Sequence, residues 1–326
     1  MTEWLRRPIA LLAVAATVFA TTACGDSDNG GGSTPAPATT EQVNVGVIAI
    51  LDVAPIYLGK KQGFFSKRGI ELTLTTAQGG AAIVPAVING QYQFGFSNVI
   101  SLLLANSRGL PLRVVSNGNN STGVDGADFG SVLVKADSPI KSAADLPGKT
   151  VAVNTLQNIV DTTVRASIRK AGGDPKAVKF VELPFPDMPA ALQTGRVDAA
   201  FMVEPFQSTA RGQGARSVAS SYVDAAPNLT VAVYFTSIET MTRKPELVKR
   251  FAEAMKESLA YANSHPDEAR AIIATYTQIP PDVIAKLTLP KWPAEINRQS
   301  METLADLAVS DGLITKRPDV AALLSS

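Results

Sequence analysis

The sequence has little of what most active sites are built from. Among 326 residues there is one cysteine and one histidine, which excludes a four-ligand Cys/His zinc site and a disulfide, and excludes a Cys-His nucleophile pair unless those two residues meet. No metal and no cofactor is expected. Charge of one sign is missing too: 30 Lys+Arg stand against 29 Asp+Glu, a formal net charge of +1. That leaves no global field to hold nucleic acid or an anionic bilayer by counterion release. No apolar run reaches the roughly 20 residues that a membrane-spanning helix needs. What is present is ordinary for a globular chain, 45% hydrophobic and 18% charged. The length suits two domains at about 100 to 200 residues each.

The first 23 residues read as a secretory signal. Arg6-Arg7 precede an apolar stretch, 8–20, that is too short to span a bilayer, and Thr21-Thr22-Ala23 form a small-residue exit. Cys24 follows directly, and here the sequence resembles a bacterial lipobox, with Thr21 where such sequences usually carry Leu. The resemblance implies acylation of Cys24; ordinary cleavage after Ala23 is the blander alternative. Residues 25–42 (GDSDNGGGSTPAPATTEQ) hold no apolar side chain larger than Pro and read as a flexible tether. It reaches roughly 23 Å, from about 5.5 Å times the square root of its length. The expected attachment to the outer face of the cell membrane is through lipid alone.

After Val43, short β-branched runs alternate with helical segments: 43–51, 70–77, 94–97 and 112–116 as strands, with helices over 55–67, 81–89 and 99–107. The alternation recurs in 151–154, 178–183 and 198–202 with their own helices. This pattern predicts an α/β protein of two lobes, each a mostly parallel sheet flanked by helices. Asn89-Gly90 and Thr194-Gly195 close helices before similar strands, 105 positions apart, as an internal echo. Runs 131–136 (SVLVKA) and 229–236 (LTVAVYFT) are placed as a two-strand hinge. Lobe one is then 43–133 plus 232–326 and lobe two 134–231. In the helical C-terminal region, expected to pack on lobe one, Leu247, Phe251, Met255 and Leu259 form an apolar stripe.

Ligands in open α/β sheets bind beyond the carboxyl ends of the strands. In lobe one those positions are Asp52-Val53, Gly79-Gly80, Ser97-Asn98 and Ser116; in lobe two they are Thr155, Pro184 to Asp187, and Glu204. Ser97, Asn98 and Thr155 are equally good helix caps, and Gly79-Gly80 is equally a turn. Asp52, Glu182, Asp187 and Glu204 could serve acid-base chemistry, meet a cationic ligand group, or only cap and pair. Tyr57, Phe129, Phe185, Phe206, Tyr234 and Trp292 are candidate pocket aromatics, though most large aromatics are core. Gly148-Lys149-Thr150 precedes a strand and lacks the earlier glycine of a phosphate loop. Gly95-Phe96-Ser97-Asn98-Val99 lacks the second glycine of a nucleophile elbow. His265, between Ser264 and Pro266, reads as a solvated turn residue.

Several stretches carry a family resemblance. Pro55-Ile56-Tyr57-Leu58-Gly59-Lys60-Lys61-Gln62-Gly63-Phe64-Phe65 with Gly69-Ile70-Glu71-Leu72, then 90–97, Asp145-Leu146-Pro147-Gly148-Lys149-Thr150-Val151-Ala152-Val153, and 195–205 resemble the solute-binding lipoproteins of ABC importers. The subgroup is the one for nitrate, sulfonates, taurine and thiamine-pyrimidine precursors. The resemblance implies a type II periplasmic-binding-protein fold whose lobes close on a small molecule, a monomer that delivers it to a membrane permease with its ATPase. It implies binding positions at Asp52, Val53, Gly79, Gly80, Ser97, Asn98, Thr155 and Glu204. Enzymes of similar fold use His and Cys; here the only Cys lies in the signal region and the only His in the helical tail. A secreted enzyme, a hydrolase or a pyrimidine-forming one using Asp52, Glu182 or Asp187, is the main alternative, and a sensor lipoprotein is a further one.

Overall fold

The structure, a computed structural model, describes residues 40–324. The signal segment, Cys24 and nearly all of the tether lie outside the described residues. Ten strands form two five-stranded sheets. The first has the order β2 (Ile70–Thr76), β1 (Glu41–Val47), β3 (Phe94–Asn98), β10 (Thr230–Ser237), β4 (Leu112–Asn120). The second runs β7 (Lys179–Glu182), β6 (Thr150–Val153), β8 (Ala199–Val203), β5 (Gly130–Val134), β9 (Arg216–Ala219). Each sheet is mixed. In each, the three strands joined by helices pair in parallel, and the fourth runs antiparallel to both neighbours. A helical crossover forces parallel pairing. β5 and β10 instead arrive from the other lobe, so nothing holds them to that direction.

This corrects the lobe boundaries. β5 was expected to straddle them, yet all five of its residues are buried and paired with β8 and β9 in the second sheet. β10 is wholly buried in the first. The chain therefore crosses between sheets in 121–129 and 220–229, not in the strands. The two crossings are tied together: Ser121 N donates to Leu229 O at 2.8 Å, and Gly126 N to Ser220 Oγ at 2.8 Å. Gly123, Gly126 and Asn228, with φ of 73°, 73° and 48°, turn the backbone there.

The helical tail also departs from expectation. The helix Pro245–Ser264 buries Leu247, Phe251, Met255 and Leu259 as the stripe requires, with Phe251 stacked on Phe94 of β3 at 3.8 Å between ring centroids. The helix Arg298–Ser310, however, packs on both Val99–Ser107 in the first lobe and Ile159–Lys170 in the second. Arg169 of that second-lobe helix forms an ion pair with Asp311. The tail thus clasps both lobes. No helix among the described residues is long and apolar enough to cross a membrane.

Candidate functional site

The carboxyl ends of β1, β3, β6, β7 and β8 converge, and a cavity of about 30 Å³ lies between them. From the first lobe it is lined by Ile48, Ile50, Asp52, Phe96, Asn98, Val231 and Ala232; from the second by Asn154, Asn158, Ile159, Val160, Phe185, Val203 and Tyr222. About 15 Å³ suffices for a water, so this volume holds water and no organic solute until the lobes part.

Asp52 is its one ionisable carboxylate. A short turn, Leu51–Val53, carries it off the end of β1, and it is 2% exposed. Its Oδ2 accepts from Asn119 Nδ2 at 2.9 Å, and its backbone carbonyl accepts from Trp292 Nε1 at 3.2 Å. Asp52 Oδ1 and Asn119 Oδ1 are buried without a donor. Burial outweighs the hydrogen bonds and raises the Asp52 carboxyl to about 7. Asp128, also raised by burial, adds like charge nearby. Among the described residues lining the cavity there is no Lys, Arg or His.

The helix termini at the cavity are already capped. Asn98 Oδ1 accepts from Ser101 N at 3.0 Å. Asn158 Oδ1 accepts from Val160 N, while Asp161 accepts from Asn158 N and Gln157 N, a capping box in full. Ser101 N, Gln157 N, Asn158 N and Val160 N, part of the amide set that would meet an oxyanion at these termini, are thus already engaged. Asn154, with a buried unpartnered Oδ1, and Tyr222 complete the wall.

The other expected residues divide. Asp52 and Asn98 line the cavity. Val53 is fully buried in the core beside it. Ser97 points the other way, fully buried beneath Gly80, where an added Cβ would sit 1.9 Å from Ser97 Oγ. A Cβ on Gly79 would meet Thr155 Cγ2 at 3.2 Å, so Gly79-Gly80 is wedged between Ser97 and the opposite lobe, and Ser97 and Thr155 do not share one ligand space. Strand alternation explains this: Phe96 and Asn98 take the cleft face and Ser97 the reverse. Ser116 lies on β4 opposite Tyr234, its hydroxyl bonded to Asn117 O, away from the cavity. Asp187 is exposed, as is Glu182, which accepts from Leu156 N.

Glu204 is fully buried but closed. Its Oε1 accepts from Ser208 Oγ at 2.8 Å, Thr288 N at 3.1 Å and Gln207 Nε2 at 3.3 Å, and its Oε2 from Ser208 N at 3.0 Å. Both of its oxygens are met by donors inside the protein. Of the aromatics, Phe185 reaches the cavity and Phe206 stands parallel to it at 6.3 Å. Tyr57 stacks on Tyr276, while Phe129, Tyr234 and Trp292 are core. The site residues the sequence reading missed are Asn119, Asn154, Asn158 and Tyr222. The polar run Asn117-Gly118-Asn119-Asn120 inside a buried strand was the visible signal for the first.

A family model described as NMT1/THI5 like matches residues 51–269. A protein of Escherichia coli described as aliphatic sulfonates-binding is 28% identical over 195 residues, 58% of this chain and 60% of that one. The chain thus spans less than two thirds of that relative's length. The riboflavin-binding protein RibY of Chloroflexus aurantiacus is 25% identical over 315 residues, 90% of this chain and 85% of that one. Among solved structures, the alkanesulfonate-binding protein SsuA from Xanthomonas axonopodis pv. citri, bound to MOPS, superposes with a TM-score of 0.73 at 21% identity, covering 89% of this chain and 98% of that one. That likeness is one of fold.

Proposed function

The chain belongs to the NMT1/THI5-like family, and from that premise we propose that it is the extracytoplasmic solute-binding component of an ABC importer, closing two lobes on a small solute and passing it to a membrane permease with its ATPase. We infer attachment to the membrane through acylated Cys24. Replacing Cys24 with Ser then releases the protein into the soluble fraction; retention at the membrane refutes the anchor. The enzyme reading loses its support, because the carboxylates it needs are dispersed: Asp187 and Glu182 are exposed, Glu204 is internally satisfied, and Asp52 stands without a carboxylate partner in the cavity.

One observation carries the choice of solute. Three buried oxygens left open at or beside the cavity, Asp52 Oδ1, Asn119 Oδ1 and Asn154 Oδ1, are acceptors, and a buried acceptor favours a ligand that brings N–H donors. Of the expected solute classes, a pyrimidine or the amino group of taurine presents donors, whereas nitrate and simple alkanesulfonates present only oxygens. Phe96, Phe185 and Tyr222 add apolar walls suited to a flat ring. A thermal-shift screen of aminopyrimidines, taurine, nitrate and methanesulfonate tests this. The donor-bearing compounds raise Tm. Stabilisation by nitrate or methanesulfonate alone overturns the donor assignment, and conversion of any of them to product overturns the receptor.

A further inference from the structure

The Asp52 cavity shares its walls with neighbouring cavities. Ile48, Ile50 and Phe185 also line a second cavity of about 310 Å³. That one shares Ala49, Pro186 and Phe206 with a third, of about 480 Å³, which runs between Tyr276 to Ile279 of the tail and the second-lobe helices Met188–Gln193 and Phe206–Gly212. The outer two each fall in the range of small-molecule sites, roughly 300 to 1,000 Å³. Among the described residues lining them there is no Asp, Glu, Lys, Arg or His. The three volumes follow the divide between the lobes, so closure shapes all of them together.

We propose that the solute is elongated, with its donor-bearing head at Asp52 and an uncharged apolar extension lying along this trough past Phe185 and Phe206. The proposal rests on the donor-bearing head assigned above and adds the chemistry of the remainder. A compact solute would leave the trough to water against proline and phenylalanine. An apolar extension removes that surface from water, and its length then sets affinity. Ala49, with Pro186 and Phe206, lines both outer volumes.

Straight-chain primary amines from ethylamine to octylamine, titrated by calorimetry below their aggregation concentrations, supply the test. The ammonium group addresses Asp52 and the alkyl chain measures the trough. For the native protein, affinity rises about 2- to 4-fold per methylene. In Ala49→Phe, and more weakly in Ala49→Leu, the rise stops at shorter chains; melting curves confirm that each variant is folded. Binding that does not depend on chain length overturns the trough and leaves the head assignment standing. A rise that is identical in both Ala49 variants places the chain elsewhere and also overturns it. Failure of every amine to bind overturns the head assignment, and the trough falls with it.

Discussion

The two sheets share one strand order and one placement of the antiparallel strand, yet each lobe has buried a carboxylate to a different end. Asp52 of the first lobe has a single side-chain donor, Asn119, and an open Oδ1. Glu204 of the second has four donors, from Gln207, Thr288 and twice from Ser208. Burial raises the pKa of both. The difference lies in hydrogen-bond accounting: a buried carboxylate with donors on both oxygens fixes the fold, and one with an oxygen that has none is available to a ligand. Glu204 also ties the lobes, since its backbone carbonyl accepts from Leu51 N at 3.1 Å, one residue from Asp52.

The largest expected effect comes from breaking the closed carboxylate. Glu204→Ala strands the Ser208 and Thr288 donors and lowers stability by about 3 kcal/mol, on the scale of several unmet buried groups, as denaturant unfolding would show. Asp52→Asn goes the other way. Because the folded-state carboxyl is raised from 3.8 to about 7, its contribution to stability is full below the lower value and is lost as pH rises through 7. Asp52→Asn removes that loss, so melting curves at pH 5 and pH 8 should converge in the variant relative to the native protein, by about 1 to 3 kcal/mol.

The two glycines before the helix Gly80–Ile88 sharpen the contrast between packing within a lobe and contact across lobes. Gly80→Ala drives a methyl into Ser97 and costs about 1 to 3 kcal/mol of stability. Gly79 has φ of −173°, which any residue adopts, and its Cβ would meet Thr155 and Asn154, both of the other lobe. Gly79→Ala should leave unfolding within about 0.5 kcal/mol and instead weaken solute affinity a few-fold, through poorer closure. The smallest effect is at an exposed ion pair: Arg243→Met breaks the pair with Glu239 and costs at most about 0.5 kcal/mol.

The path from sequence to site was clearest where local rules govern. Strand and helix alternation set both lobes, and the rule that ligands gather at strand carboxyl ends led to Asp52, Asn98 and Phe185, all of which line the cavity. Long-range matters were hidden. Thr288, 84 positions from Glu204, closes that carboxylate, and no local pattern announces it. Ser97 and Asn98 are adjacent and similar in chemistry, but strand register turns one to the core and the other to the cleft. β4 continues to Asn120, well past the apolar run that ended its reading at Ser116, and the extra residues bring Asn119 to Asp52. The crossings were misplaced because β5 and β10 are as apolar as any central strand, and composition alone does not say which sheet a strand joins.

The most direct test of the central claim, that Asp52 receives a donor from the solute, is proton linkage. The strongest binder from the screen is titrated calorimetrically at pH 7 in phosphate and in Tris, whose ionisation enthalpies differ. A donor stabilises the carboxylate, so binding should release about half a proton from a group near its midpoint. Asp52→Asn should abolish the release and weaken binding at least about 10-fold. Proton uptake on binding, or an Asp52→Asn variant with native affinity, would contradict the account.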